Sequence, residues 1–275
     1  MAHILIAGCG DVGTTLGLLL AAQGHVVWGL RRDPAPLPTP IRAIAADLGD
    51  PVTLEHLPPE LDYVFYTAAA GARDEAHYRA VYVEGIGHLL DALAGQPLRR
   101  VFLTSSTSVY AQDDGGWVDE DSPAAGQGTS GRLIREGEQR LLAGPFPATV
   151  VRFAGIYGPG RTRLLEQVRA GRPCQAEPPQ WSNRIHRDDC ARVLAHLLTL
   201  EQPAPLYLAV DDEPAPLHEV LAWLAQRLEL PAPPIVNPPL PAGQNKRCRN
   251  ARLRATGFVF RYPSYREGYG AMLAR

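Results

Sequence analysis

His3-Ile4-Leu5-Ile6-Ala7 runs straight into Gly8-Cys9-Gly10-Asp11-Val12-Gly13, and this stretch decides the fold. An unbroken apolar run of this length is what a strand buried in a parallel sheet requires. Past the glycines, Val12, Leu16, Leu19 and Leu20 recur at helical spacing, Gly24 supplies a stop, and Val26-Val27-Trp28-Gly29-Leu30 reads as a second strand. The result is a βαβ unit of about thirty residues. Each glycine has a mechanical purpose: Gly8 permits a tight turn, Gly10 lets a pyrophosphate approach the backbone, and Gly13 lets helix and strand pack closely. The N-terminus of the helix offers free N–H groups and the positive end of its dipole to phosphates. Asp11 and Val12 complete the loop, with Asp11 expected to cap the helix and point away from the phosphates.

The end of the second strand selects the cofactor. An acid there would accept hydrogen bonds from a ribose 2′-hydroxyl. This chain instead carries Arg31-Arg32, two guanidinium groups suited to a 2′-phosphate, and Asp33 comes too late to serve as the ribose acid. The expectation is NADP(H) in preference to NAD(H).

Outward from this unit the alternation continues. Strands are expected over Ile41–Asp47, Tyr63–Thr67, Val101–Thr104 and Thr149–Phe153, with helices over Glu75–Leu93 and Gly131–Leu142. Past Gly155 the pattern loosens, with helices over Leu164–Ala170, Asp188–Leu200 and Leu217–Leu228 and a strand over Leu206–Val210. Prolines cluster from Pro231 to Pro241, in what reads as an ordered connector. The predicted class is α/β: a Rossmann doubly wound parallel sheet with a small C-terminal substrate cap. Residues 1–157 with about 185–212 are assigned to the nucleotide-binding domain, and about 158–184 with 213–275 to the cap.

Composition narrows the function. The chain has 275 residues and a formal net charge of -2, so nothing in its charge favours nucleic acid or an anionic membrane. Leu16–Ala22 is too short to span a bilayer, and no signal peptide is visible, so a cytoplasmic protein acting on a small molecule is expected. Cys9, Cys174, Cys190 and Cys248 are scattered without a C-x-x-C pair, and no clustered His, Cys and Asp suggest a metal. Of the 27 basic residues, 26 are arginine and Lys246 is the only lysine.

Several further segments carry a resemblance. Thr104-Ser105-Ser106-Thr107-Ser108-Val109-Tyr110, Arg152-Phe153-Ala154-Gly155-Ile156-Tyr157-Gly158-Pro159-Gly160 and Ile185-His186-Arg187-Asp188-Asp189 resemble motifs of the extended short-chain dehydrogenase/reductases, the NAD(P)-dependent epimerase/dehydratase group. The likeness covers nearly the whole chain and, within the superfamily, points to bacterial proteins described as nucleoside-diphosphate-sugar epimerases. It implies Ser106 as the catalytic Ser/Thr, and Asp47 and Leu48 at the adenine. It further implies Ala68, Ala69 and Ala70 in the loop after the fourth strand, with Ser105, Ala154 and Ile156 along the cofactor. A homodimer through the fourth and fifth helices is common in that superfamily.

The departures matter as much. The family's Y-x-x-x-K pair opens the helix after the fifth strand. Anchoring on Glu136 and Glu138 puts Ser130 at the Tyr position and Ile134 at the Lys position, and Lys246 lies far outside the nucleotide-binding half. A serine hydroxyl orients a carbonyl but does not readily deliver a proton. The candidates for a replacement acid are Tyr157, Tyr110 and His186, with Tyr157 joined to Ser106 as the catalytic assignment. Ser106, Tyr157, Arg161, Arg184 and His186 are the substrate candidates, the two arginines serving any phosphate. Lys246, Arg247, Arg249, Arg252 and Arg254 read as a solvated helix face, and Asp113, Asp114, Asp119, Glu120 and Asp121 as surface charge. The reaction expected is hydride transfer to or from a carbonyl or secondary alcohol, on a sugar nucleotide if the likeness extends that far. The rival is an NADP(H)-sensing binding protein that kept the cofactor loop and lost proton transfer.

Overall fold

The computed structural model describes residues 1–126, 128–236 and 244–274. In chain order the elements are β1 (His3–Ala7), α1 (Asp11–Ala22), β2 (Val26–Arg31), β3 (Ile41–Ala45), β4 (Tyr63–Tyr66), α2 (Glu75–Arg79), α3 (Gly85–Ala92), β5 (Arg100–Ser106), β6 (Trp117–Val118), α4 (Gly128–Leu142), β7 (Ala148–Phe153) and β8 (Gly155–Tyr157). There follow α5 (Arg163–Arg169), β9 (Trp181–Ser182), β10 (Arg184–His186), α6 (Arg187–Thr199), β11 (Leu206–Ala209), β12 (Ala215–Pro216), α7 (Leu217–Arg227), β13 (Arg247–Cys248), α8 (Ala251–Ala255) and α9 (Tyr265–Leu273).

The central sheet has seven strands in the order β11-β7-β5-β4-β1-β2-β3. β1 pairs in parallel with both β2 and β4, β2 with β3, and β4 with β5. This is the doubly wound Rossmann order, with the chain reversing direction across the sheet between β1 and β4. The expected strands and helices are all present, to within three residues at their ends. Glu75–Leu93 departs from a plain helix, because Ala80–Glu84 forms a π-helical turn between α2 and α3. The buried Tyr66 hydroxyl donates to the Val81 carbonyl there.

The chain divides into two compact units, the first comprising Met1–Tyr110, Ala124–Arg152 and Ala191–Tyr207, the second Ala111–Pro123, Phe153–Cys190 and Leu208–Arg275. In the first, Leu5, Ala7, Leu30, Val64, Tyr66, Ile86, Leu89, Val101, Leu103 and Val150 form one continuous core. In the second, Tyr157, Leu165, Val168, Val220, Leu221, Leu224, Tyr265 and Tyr269 form a separate one. The short pairings β8–β10, β9–β12 and β6–β13 belong to this second unit, and none was legible as a strand pattern because each spans only two or three residues. Of the proline-rich stretch, residues 231–236 are described and tied by Cys174 N–H to Pro234 O (2.9 Å) and Val236 N–H to Cys174 O (2.9 Å). Residues 237–241 lie outside the described residues. No described helix is long and apolar enough to cross a membrane.

Candidate functional site

The loop after β1 folds as its glycines require. Gly8 has φ +83°, and a Cβ there would lie 2.4 Å from the Ala68 backbone, so only glycine lets the β1 loop touch the loop after β4. At Gly13 a Cβ would lie 2.7 Å from Thr67 Oγ1 and 3.0 Å from Ile6 Cγ2, which sets how closely α1 approaches the sheet. At Gly10 a Cβ would meet nothing nearer than the Gly8 carbonyl at 3.9 Å. The loop is held from below: Gly8 and Cys9 N–H both donate to Leu30 O (2.9 Å each), and Thr67 Oγ1 donates to Gly8 O (2.9 Å). Val12 is buried, whereas Asp11 is the exposed first residue of α1.

Arg31 and Arg32 part company at the end of β2. Arg31 is half-buried, its Nη1 3.5 Å from the Cys9 carbonyl, while Arg32 is exposed. Burial pushes the Cys9 thiol up, against the opposing pull of Thr14 and Arg31. Asp47 accepts from Gly49 N–H (2.9 Å), so its carboxylate shapes the turn after β3, and the buried Leu48 offers its carbonyl to His88 Nδ1 (2.9 Å). Ala68 and Ala70 are half-buried and Ala69 is exposed.

At the end of β5 adjacent serines divide the work. Ser105 is buried and donates to Glu138 Oε1 (2.5 Å), whereas Ser106 is half-buried and accepts from Ser108 N–H (3.1 Å). Glu138 lies on α4, and Arg152 of β7 meets it with Nε at 2.9 Å and Nη2 at 2.7 Å. Arg135 adds a third donor at 2.9 Å, and the Arg152 guanidinium lies 4.8 Å from the Tyr110 ring centre. This network, absent from the sequence reading, locks α4 to the carboxyl ends of β5 and β7. Ser130 is half-buried near the start of α4, and Ile134 is buried.

The remaining candidates belong to the second unit. Ala154 is buried and its N–H donates to Ala209 O (3.2 Å), and Ile156 pairs with Ile185 between β8 and β10. Tyr157 is buried with its hydroxyl 3.4 Å from Ser264 O, stacked on Tyr269 (4.4 Å between centres) and edge-on to His186 (5.3 Å). Burial, then the neighbouring Asp211 and Tyr269, hold its phenol well above the ordinary value. His186 Nδ1 accepts from Asp188 N–H (3.2 Å) at the start of α6, and its ring packs 4.1 Å from that of Tyr262. Asp189 instead takes the N–H groups of Arg261 and Tyr262 (2.9 Å each). Arg161 is exposed in the turn after β8, and Arg184 is buried.

Two sequence readings change. The basic run is not one solvated helix face. Lys246 is buried and donates to Gln244 Oε1 (3.0 Å), while Arg247 lies between the Trp117 and Trp181 rings at 4.9 and 4.7 Å. Arg252 pairs with Asp121 (2.8 Å). Nor is the acidic run all surface, since the buried Glu120 accepts from Leu208 N–H (2.8 Å). Arg247, Arg252 and Glu120 depart because their partners lie far away in sequence.

Compared with known proteins, residues 4–205 match the model of the NAD dependent epimerase/dehydratase family. A protein of the NAD-dependent epimerase/dehydratase type from Methylobacillus flagellatus is 42% identical, covering 99% of this chain and 98% of its own, with a TM-score of 0.85. The 3-diazoavenalumate denitrifying reductase of a Streptomyces species is 27% identical across 98% of this chain and 99% of its own length. MoeE5, solved with UDP-glucose and NAD, is 21% identical with a TM-score of 0.83, a likeness of fold.

Proposed function

The chain belongs to the NAD-dependent epimerase/dehydratase family, and from that premise we propose that it is an NADP(H)-preferring oxidoreductase or epimerase that works without a Tyr–Lys pair. Its substrate is a carbonyl or secondary alcohol, carried on a sugar nucleotide. The observation that supports this best is the glycine loop, where Gly8 and Gly13 are closed to any side chain and Gly10 alone faces open space. A diphosphate needs that open approach beside a helix N-terminus. When bound, the nicotinamide supplies or accepts a hydride.

The chain's own residues do the rest. Arg32, exposed at the end of β2, takes the 2′-phosphate, and Arg31 steadies the loop through Cys9. Asp47 and Leu48 shape the adenine end, and Ala68 to Ala70 give the small-residue wall. Ser106 orients the reacting oxygen, with Ser105 anchored behind it by Glu138. Residues 1–157 with about 185–212, which include Tyr157 and His186, serve the cofactor, and about 158–184 with 213–275, which include Arg161 and Arg184, serve the substrate. The reductase name of the Streptomyces relative and the UDP-glucose held by MoeE5 favour reduction of a sugar-type carbonyl. The assembly proposed is a homodimer.

NADPH is expected to raise the melting temperature more than NADH does, and Arg32→Ala to abolish the difference while leaving the NADH shift intact. Equal shifts in the native protein would refute the assignment of these arginines. Stereospecific loss of label from C4-deuterated NADPH, followed over a panel of carbonyl compounds, tests the chemistry. Tight NADPH binding with no label transfer to any of them would favour a cofactor-sensing protein instead.

A further inference from the structure

Two side chains of the second unit stand apart from the rest of its buried polar groups. Arg184, the first residue of β10, is 3% exposed, and Asp211, two residues past β11, is 1% exposed. Their backbones are joined by Asp211 N–H to Arg184 O at 2.7 Å. The guanidinium is partly committed: Nη1 donates to Ser182 Oγ (2.8 Å), Nη2 to Ser182 O (3.2 Å), and the Tyr265 ring centre lies 5.0 Å from Cζ. Nε has no partner. Asp211 Oδ1 accepts a long hydrogen bond from Glu213 N–H (3.3 Å), and Oδ2 has no partner among the described residues. One buried donor and one buried acceptor, each costing about 1–3 kcal/mol if left unmade, thus come from residues bonded backbone to backbone.

The surroundings are rigid. Asn250 Nδ2 donates to Val210 O (3.0 Å) and Asp212 Oδ1 (2.8 Å), and Asp212 N–H donates to Pro263 O (2.9 Å). Asp211 also lies just beyond the carboxyl end of a strand of the central sheet, where doubly wound proteins hold their ligands. The chemistry disfavours a phosphate. Bidentate anion binding uses a guanidinium fork, and each terminal nitrogen of Arg184 already donates to Ser182. A hydroxyl oxygen meets both needs, accepting from Nε–H and donating to Oδ2.

We propose that Arg184 and Asp211 together bind one hydroxyl group of the substrate, and so select a polyhydroxylated, sugar-type compound. This rests on the reading of the protein as a sugar-type oxidoreductase. Burial pushes the Asp211 carboxyl up to about 8 despite the opposing field of Arg184.

UDP-glucose and UDP serve as probes, titrated calorimetrically into the NADPH-loaded protein. The native protein is expected to bind UDP-glucose at least about tenfold more tightly than UDP, a gap within the reach of one buried hydrogen-bonded hydroxyl. Asp211→Asn is expected to close the gap, leaving UDP affinity and the NADPH thermal shift as they were; Asp211→Ser is the second variant if the first misfolds. Equal affinities in the native protein, an undiminished gap in both variants, or binding of neither probe would overturn the proposal, and a trapped water would then complete the pair. Label transfer from deuterated NADPH, measured on the same samples, keeps the two readings separable. Its loss counts against the oxidoreductase, and its persistence without sugar discrimination counts against Arg184 and Asp211 alone.

Discussion

Two buried acids divide this molecule into a finished region and an unfinished one. Glu138, in the first unit, has both oxygens occupied: Arg152 grips it with two nitrogens, Ser105 donates to one oxygen and Arg135 to the other. Asp211, in the second, has among the described residues one long hydrogen bond and one oxygen without a partner. Both are as deeply buried as side chains become. The difference teaches that burial alone does not mark a site. A saturated acid fixes structure, whereas an acid held in place but short of partners is available to something else.

The harshest way to break the comparison is to unpair the finished acid. Arg152→Met removes the bidentate partner and leaves the buried Glu138 with Ser105 and Arg135 alone, so unfolding in urea is expected to show a loss of about 3–5 kcal/mol. Glu138→Leu added to Arg152→Met should recover much of it, because the cost lies in the stranded charge. A double variant no more stable than the single one would mean that the network itself, Ser105 and Arg135 included, carries the stability.

The unfinished acid responds to pH in a definite direction. Asp211 is raised to about 8 by burial, opposed by Arg184 and assisted by the nearby Glu213 and Asp212. Tyr157 and Tyr269 face it as well. In the unfolded chain the same carboxyl titrates near its ordinary value of about 3.9. Below that value both states are protonated and the native state bears no penalty. Between it and about 8 the native state holds the extra proton, so stability falls as pH rises, by up to about 1.4 kcal/mol per pH unit. Between pH 6 and pH 8 the native protein should therefore lose about 2–3 kcal/mol more than Asp211→Asn does. Parallel stability curves for the two proteins would show that water reaches this carboxyl and that its burial has no electrostatic consequence.

How much of this was legible in the sequence depends on whether the signal was local. The β1–α1–β2 unit was readable to within a residue or two because strand, glycine turn and helix are consecutive. Gly8, Gly10 and Gly13 have the three different surroundings that their spacing implied. Arg31 and Arg32 were legible as a pair, but only the fold separates the half-buried one from the exposed one. The second unit resisted for the opposite reason. Arg184 and Asp211 are bonded across a gap of 27 positions, and Tyr157 meets Ser264 across 107. The acidic pair Asp211-Asp212 directly after an apolar strand was the one local hint at Asp211. Nothing near Glu138 in sequence announces Arg152.

The mildest test concerns shape, and it asks whether the unfinished region owes its arrangement to packing. Tyr157 lies beside Asp211, and its ring fits only because Gly268 has no side chain: a Cβ there would fall 1.8 Å from the Tyr157 hydroxyl and 2.6 Å from its Cζ. α9 is anchored next to this contact by a capping box between Ser264 and Glu267, so the helix cannot slide to relieve it without breaking its own cap. Tyr157 cannot swing away either, since it is stacked on Tyr269 and flanked by His186. Gly268→Ala should therefore lower stability by about 1–3 kcal/mol, the range of an overpacked core. Tyr157→Phe in that background should return part of the loss, because it removes the atom nearest the new methyl. If Gly268→Ala proves neutral, α9 is free to shift, and the rigid frame argued for Arg184 and Asp211 loses the wall that Tyr157 and Tyr265 give it.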